Sequence, residues 1–487
     1  HYPLRRQRQM CIRDRLKAEH GTGRIMAPFV ERQYGPELYN VMVKLKNAAD
    51  PDRMLNPGTI ITDDPQLHLK DIKLSSTVQE EVDRCVECGY CEPVCPSRDL
   101  TLTPRQRIVV QRAIAQAHAD GDEELAAQLS ADEQYPVIQT CAVDGMCQTN
   151  CPLHINTGDL VRRLRAEGNS PAWQGVWDIA AKGWGPFVSA ASLGMDAVHP
   201  IPTRATNTVL GAARSIVGAD RVPLLSKELP AGGRRRSSGH RRGPVGRPEV
   251  VYLPACVNTM FGSAVPQEET LEFSVLSLLA AAGVGVTVPQ GIEAVCCGTP
   301  WKSKGMTTGY ATMRRRVVDI MQEATHGGEL TVISDAVSCS EGFVHELEYE
   351  GVTGIRIVDA VQYIADELLP VLPDLPKLRS AALHPTCSST RMSWNDALYR
   401  CAQAIVDDVV VADDWGCCGF AGDRGMLHPE LTESATARET AQLRAREFDV
   451  YLSANRTCEI GMQRATGKSW RHVLSVLAER MVEFAPA

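Results

Sequence analysis

The sequence predicts a mixed α and α/β protein: a helical, cysteine-bearing module followed by a duplicated α/β domain. Three observations predict it. Two cysteine runs, CVECGYCEPVCP at residues 85–96 and CAVDGMCQTNCP at 141–152, flank a stretch of helical apolar periodicity. From Val250 onward, six strand-like runs rich in β-branched and aliphatic residues each reach a cysteine just past their end, with helical stretches between them. The cysteines repeat: Cys256, Cys296-Cys297-Gly298 and Cys339 in one copy, Cys387, Cys417-Cys418-Gly419 and Cys458 in the next.

The chain has 487 residues, enough for about three domains. With 44% hydrophobic and 23% charged residues it has ordinary globular composition, and a net charge of −8 gives no reason to expect nucleic acid or an anionic membrane as partner. Seventeen cysteines in a chain without a visible signal peptide read as reduced, metal-holding thiols in the cytoplasm. No apolar run is long enough to span a bilayer. Residues 1–15 (HYPLRRQRQMCIRDR) are strongly basic and connect poorly with the residues after them, so they are expected to be non-native, and Cys11 is given no role.

Residues 16–65 predict one amphipathic helix from Pro36 to about Ala48, with Leu38, Met42 and Leu45 on one face. Pro51 ends it and a turn comes next at Asn56-Pro57-Gly58. The stretch Glu19-His20-Gly21, the Asp50-Pro51 turn and Leu55-Asn56-Pro57-Gly58 resemble the carboxyl end of FAD-linked oxidases acting on D-2-hydroxy acids, such as D-lactate dehydrogenases and glycolate oxidase. By that resemblance Glu19 binds a divalent metal and His20 takes the substrate hydroxyl proton while hydride leaves for flavin. The plain alternative is a histidine capping a glycine turn. The resemblance also implies a flavin domain before Glu19, without which the chain is expected to be inactive.

The run at 85–96 spaces Cys85, Cys88, Cys91 and Cys95 as in bacterial two-cluster ferredoxins, where three thiolates hold one iron–sulfur cluster and the fourth serves the other. Zinc is poorly suited to this spacing. The second run copies the first, with Cys141, Cys147 and Cys151, but places Asp144 where a cysteine is expected. One 4Fe–4S cluster then takes Cys85, Cys88, Cys91 and Cys151. The other takes Cys95, Cys141 and Cys147, with Asp144 at the remaining corner. Three readings of Asp144 stay open: a carboxylate ligand, the edge of a three-iron 3Fe–4S cluster, or an exposed loop residue. Thr103 and Pro104 start a helix whose apolar stripe is Ile108, Val109, Ala113, Ile114 and Ala117. Gly121 breaks it, a short helix passes through Leu125 to Leu129, and a third runs from Leu153 to Leu164 with Arg162, Arg163 and Arg165 outward. Residues 75–170 therefore resemble the α-helical ferredoxins of respiratory iron–sulfur subunits.

Residues 171–230 read as a helical connector in which Trp173, Trp177, Trp184 and Phe187 are either buried packing or a docking surface. Residues 231–248, rich in Gly, Arg and Ser, read as a flexible basic linker.

The two copies, 249–375 and 376–487, place 39 and 41 residues between successive cysteine positions in the first and 29 and 39 in the second. Strands that each deliver a cysteine at their carboxyl ends bring four thiols together per copy, where open α/β sheets gather ligands. This half resembles the cysteine-rich CCG domain of heterodisulfide reductase subunits, glycolate oxidase iron–sulfur subunits and D-lactate dehydrogenases. Both copies end in Cys-x-x-Gly, at Gly342 and Gly461, where the full motif has Cys-x-x-Cys. Iron–sulfur, zinc and a redox dithiol remain open for each copy. Cys401 reads as simply buried.

The order of segments resembles an FAD and iron–sulfur D-lactate or other D-2-hydroxy-acid dehydrogenase passing electrons to a quinone or cytochrome. The alternative is a stand-alone, non-catalytic iron–sulfur subunit. Its expected location is cytoplasmic, with peripheral association at the inner face of the cell membrane allowed.

Overall fold

The computed structural model describes residues 23–71, 76–241, 249–265 and 268–484, and the chain divides into two compact units, His1–Ser76 and Thr77–Ala487. In the first unit the expected helix is present as α1, Pro36–Ala49. Asp50 organises its exit: the carboxylate pairs with Lys46 at 2.6 Å and accepts from the Met54 and Leu55 amides at 3.0 and 2.9 Å. The apolar face is left open, with Leu38 and Leu45 exposed. Local pattern makes the helix, and of that face only Met42 is half-buried.

The second unit begins with helices alone, and no strand lies among its described residues before 239. These helices are α2 (Pro104–Asp120), α3 (Glu123–Asp132), α4 (Thr157–Gly168), α5 (Pro171–Lys182), α6 (Trp184–Val198) and α7 (Thr203–Val217). Gln106 accepts from the Thr103 amide at 2.8 Å at the start of α2, and left-handed Gly121 ends it. The buried face of α2 differs from the expected stripe. Arg107, Gln111 and Arg112 point inward with Ile108 and Ala117, while Ala113 is exposed and Val109 and Ile114 are half-buried. The inward face meets cysteine-bearing loops whose carbonyls and thiols need donors, so cations win over aliphatics there. Helix α4 starts later than expected, at Thr157, because Asn156 caps it through the Gly158 amide at 3.0 Å. Arg165 is not outward as expected but buried, donating to the Ile138, Cys141 and Ser303 carbonyls at 2.7, 2.8 and 2.6 Å.

Two parallel sheets complete the unit. The first holds β1 (Gly239–Arg241), β2 (Glu249–Leu253), β3 (Gly285–Val288), β4 (Thr331–Ser334) and β5 (Ile357–Asp359) in the order β1-β3-β2-β4-β5, with only β1 antiparallel. The second holds β6 (Leu378–Leu383), β7 (Val406–Val410), β8 (Val450–Ser453) and β9 (Trp470–His472) in the order β7-β6-β8-β9, all parallel. Without β1 the two orders coincide, as a duplication requires. Helices of the first copy include α8 (Leu271–Ala281), α9 (Thr299–Lys304), α10 (Thr307–Ala324) and α11 (Val337–Tyr349). Those of the second include α12 (Cys387–Arg391), α13 (Asn395–Gln403), α14 (Pro429–Leu443), α15 (Arg456–Thr466) and α16 (Val473–Phe484). One apolar core runs through both copies, from Val250 and Leu279 to Leu452 and Leu477. Burial of these aliphatic side chains is the main stabilising term of this half, at about 1.5–3 kcal/mol each.

The stretch expected to be a free linker is partly built into the sheet. Arg236 is buried and donates to the Pro254, Glu293 and Val295 carbonyls at 3.0–3.1 Å, and β1 pairs with β3. Glycine and arginine composition hides this, because a guanidinium satisfying three loop carbonyls leaves no apolar trace. The aromatic group resolves as packing. Trp184 and Trp301 are fully buried with centroids 4.6 Å apart, Trp173 and Trp177 pack against the same core, and Phe187 stacks on Trp184 at 5.2 Å with its outer side exposed.

Asp359 carries a pH-dependent contribution to this fold. It is buried at the end of β5, accepting from Ser340 Oγ at 2.7 Å and the Val361 amide at 2.9 Å, and burial pushes its carboxyl up to about 7. A folded pKa above the unfolded value means the native state holds the extra proton, so this contribution is present at low pH and lost as pH rises through 7. Asp359→Asn is therefore expected to gain stability relative to the parent between pH 4 and 7, on the order of 4 kcal/mol. Thermal unfolding across that range would show a constant difference if the carboxyl were ionised throughout.

Candidate metal centres

The first centre lies where the loop at 85–91 meets the end of the second cysteine run. Cys85, Cys88, Cys91 and Cys151 line one small cavity, partly open to solvent, with Ile108, Leu153 and Ile155 as its apolar wall. Burial pushes the Cys91 thiol up to about 11, so a thiolate is stable there only with a cation at hand. Arg112 ties the loop down, pairing with Glu87 at 2.7 Å and donating to the Cys85 carbonyl at 2.9 Å.

Cys95, Cys141 and Cys147 are buried deeper, and Asp144 and Cys141 lie close enough to Cys95 and Cys147 to raise both of those thiols. Burial raises Cys95 and Cys147, while the neighbouring Arg107 guanidinium pulls Cys95 back. Arg107 is 1% exposed and donates to Cys95 Sγ at 3.6 Å, Ser97 Oγ at 2.8 Å and the Val137 carbonyl at 3.0 Å. Asp144 is half-buried. Its Oδ2 is buried without a hydrogen-bond partner, and burial raises its carboxyl against the pull of the Cys417 thiol and Arg391. An orphaned carboxylate oxygen among three buried thiols fits a metal-bound group. Arg391 crosses from the second copy to this loop, its guanidinium lying where a side chain at Gly145 would sit, and it pairs with Glu341 at 2.7 Å.

In each copy the strand ends deliver the thiols to one point. Cys256 follows β2, Cys296-Cys297 follow β3, and Cys339 lies in the first turn of α11. Cys256 and Cys296 sulfurs are 3.6 Å apart, near the ~3.8 Å separation of two thiolates on one tetrahedral metal. Cys297 is pulled well down by hydrogen bonds from Cys296 and Cys339, whose own thiols are pushed up in return. The second copy repeats the pattern, with Cys418 pulled down by Cys417 and Cys458. Four thiols sharing protons in a buried pocket suit a soft metal centre. Gly298 and Gly419, at φ +69° and +70°, let the chain turn directly behind each Cys-Cys pair. A side chain at Gly298 would strike Glu346 and Tyr310. Among the described residues no cysteines are joined in a disulfide.

Two site residues have no signal in the motifs. Glu346 is fully buried near Cys297 with both carboxylate oxygens unpartnered, and burial raises it well above the usual carboxylate range. His384 is fully buried beside Cys418, its Nδ1 2.8 Å from Glu439 Oε1. Its ring is pushed up to about 10 because, although burial opposes charge, the Glu439 carboxylate and the Cys418 thiolate favour it. Glu19, His20 and Cys11 lie outside the described residues.

Comparison with known proteins agrees with this arrangement. Residues 15–60 match the C-terminal domain of FAD linked oxidases, 81–155 the 4Fe-4S dicluster domain, and 250–343 and 381–463 each match the cysteine-rich domain. The glycolate oxidase iron–sulfur subunit of Escherichia coli (strain K12) is 22% identical over 417 residues, covering 82% of this chain and 93% of that protein. A probable glycolate oxidase iron–sulfur subunit of Bacillus subtilis (strain 168) is 22% identical over 418 residues, covering 79% and 88%. The chain thus joins FAD-linked oxidase, 4Fe–4S dicluster and duplicated cysteine-rich segments, and is similar over most of its length to glycolate oxidase iron–sulfur subunits.

Proposed function

We propose that the chain is the iron–sulfur electron-transfer portion of an FAD-dependent dehydrogenase of D-lactate or another D-2-hydroxy acid, with a quinone or cytochrome as acceptor. The observation that carries this is the sorting of Cys85, Cys88, Cys91 and the distant Cys151 around one cavity, in a chain that also matches an FAD-linked oxidase domain. Those four thiols hold one 4Fe–4S cluster. Cys95, Cys141, Cys147 and Asp144 hold the second. Cys256, Cys296, Cys297 and Cys339 hold a centre in the first copy, and Cys387, Cys417, Cys418 and Cys458 one in the second. Bound clusters supply one-electron carriers between a two-electron flavin and the acceptor. The protein's part is to keep the thiolates charged and dry and the sites close: Arg107 offsets charge at the second site, and Asp144 touches Cys417 of the second copy. Glu19 and His20 take the divalent metal and the substrate hydroxyl proton by their place in the matched oxidase segment.

Each cluster drawing on both runs has a direct test. Cys88→Ser and Cys151→Ser in anaerobically purified chain are expected to abolish the same reduced EPR signal and remove about four irons each. Cys95→Ser is expected to abolish the other signal. If Cys151→Ser instead matched Cys147→Ser, the crossed ligation would be wrong, and zinc without iron in the parent would sink the whole reading.

A second reading is a non-catalytic subunit of glycolate oxidase or heterodisulfide reductase type, favoured because both relatives are iron–sulfur subunits. Dye reduction with D-lactate or glycolate and added FAD, by the chain joined to the flavin domain of an FAD-linked oxidase, separates the two. Turnover supports the dehydrogenase, whereas cluster reduction only by a separate flavoprotein supports the subunit. Among the described residues no helix is long and apolar enough to cross a membrane, and peripheral attachment is part of the proposal.

A further inference from the structure

The two copies are not chemically equal. β2 ends at Leu253 and β6 runs into His384, each three residues before the first cysteine of its copy. The structure fixes their equivalence: Ser334 Oγ donates to the Leu253 carbonyl at 2.8 Å, and Ser453 Oγ donates to the His384 carbonyl at 3.0 Å. The serines hold matching places at the ends of β4 and β8. At one and the same position the first copy therefore has an inert side chain and the second an imidazole.

That imidazole is placed as a ligand. A ring nitrogen of His384 and the sulfurs of Cys418 and Cys458 all lie within 4.8 Å of one another, and all three residues are buried. Nδ1 is taken by Glu439 Oε1 at 2.8 Å, which leaves the buried Nε2 to the Cys418 thiol. Trp470 meets the ring edge-on at 6.2 Å and holds its plane. A carboxylate on one nitrogen, fixing tautomer and orientation, and a second nitrogen facing thiolates make the usual support of a metal-bound histidine. Glu439 has no counterpart in the first copy, where α10 buries only Gly309, Met313, Val317 and Met321.

We infer that His384 is a metal ligand through Nε2, oriented by Glu439, so that the second copy holds a mixed imidazole–thiolate centre while the first is held by thiolates without an imidazole at this position. The inference rests on the reading that the thiols of each copy hold metal. Its consequence is two centres of different potential in one duplicated domain, since the second is bound in part by a neutral imidazole that the first lacks, and ligand identity sets potential.

The test uses the full chain, purified anaerobically and reloaded with ferrous iron and sulfide. Pulsed EPR with ¹⁵N-histidine labelling is expected to show a directly bound nitrogen. The coupling should vanish in His384→Leu/Glu439→Gln, a pair the fold accepts at this position because the first copy already has Leu253 there. Release of iron to a chelator should quicken by roughly 10–100-fold. His384→Cys should keep the metal, lose the nitrogen coupling and lower one midpoint potential. Iron content unchanged by Cys418→Ser would show that the second copy holds no metal, and the reading beneath the inference would fail. Iron lost in Cys418→Ser, with no nitrogen coupling in the parent, would overturn the ligand role alone and leave His384 a packing residue.

Discussion

Arg107→Met is expected to destabilise the protein by about 3–5 kcal/mol and to lower the midpoint potential of the cluster at Cys95, Cys141 and Cys147. The guanidinium is 1% exposed and joins Ser97, the Val137 carbonyl and Cys95 Sγ, at 2.8, 3.0 and 3.6 Å. Methionine fills a similar volume but leaves those acceptors unpaired and removes the only cation the structure shows donating to Cys95 among the described residues. A cluster bound by thiolates gains negative charge on reduction, so losing a neighbouring cation makes reduction harder. Arg107→Lys should restore part of the potential but little of the stability, since an ammonium lacks the fork that reaches several acceptors at once. Urea unfolding and a potentiometric titration of the same samples check both halves. A potential unmoved by methionine would reduce Arg107 to a packing role.

Trp301→Ala is expected to cost about 3–5 kcal/mol, the range for truncating a buried aromatic. Trp301 is completely buried between Trp184 and Trp177, at centroid distances of 4.6 and 6.2 Å, and its Nε1 donates to the Trp177 carbonyl at 2.8 Å. It is also four residues past Cys297, so its loss loosens the turn that presents the first copy's thiols. Trp301→Phe keeps most of the apolar area and gives up the hydrogen bond, at about 1–2 kcal/mol. Equal losses for phenylalanine and alanine would mean that the hydrogen bond, not the edge-on ring contact, holds α5 to α9.

The periodic part of this fold is legible in the residues alone. Strand runs ending in cysteine, glycine after each Cys-Cys pair and the matched spacing of the two copies lead to two like-ordered parallel sheets. Backbone geometry makes such signals local: a β-branched run favours a strand, and a left-handed position favours glycine. Polar burial escapes the same reading. Apolar periodicity assigns the inward face of α2 to Ile108, Val109, Ala113, Ile114 and Ala117; Ile108 and Ala117 do turn in, but with them come Arg107, Gln111 and Arg112 rather than Val109 and Ala113. It places Arg165 outward and Arg236 in a free linker, and both are buried as donors to loop carbonyls. Periodicity ranks residues by apolarity, and it has no means of knowing where cysteine loops leave acceptors unsatisfied.

The sequence by itself determined the inventory: two ferredoxin-type runs, a duplicated domain with four thiols per copy, and the carboxylate that breaks the pattern at Asp144. Tertiary structure decided the company those groups keep. It brought Cys151 to Cys85, Cys88 and Cys91, set Asp144 against Cys417, and turned His384 toward Cys418 and Cys458. The division has a physical reason. Ligand chemistry belongs to single residues and their spacing, whereas the charge, dryness and hydrogen bonding that tune a ligand come from residues distant in sequence, and only packing places those.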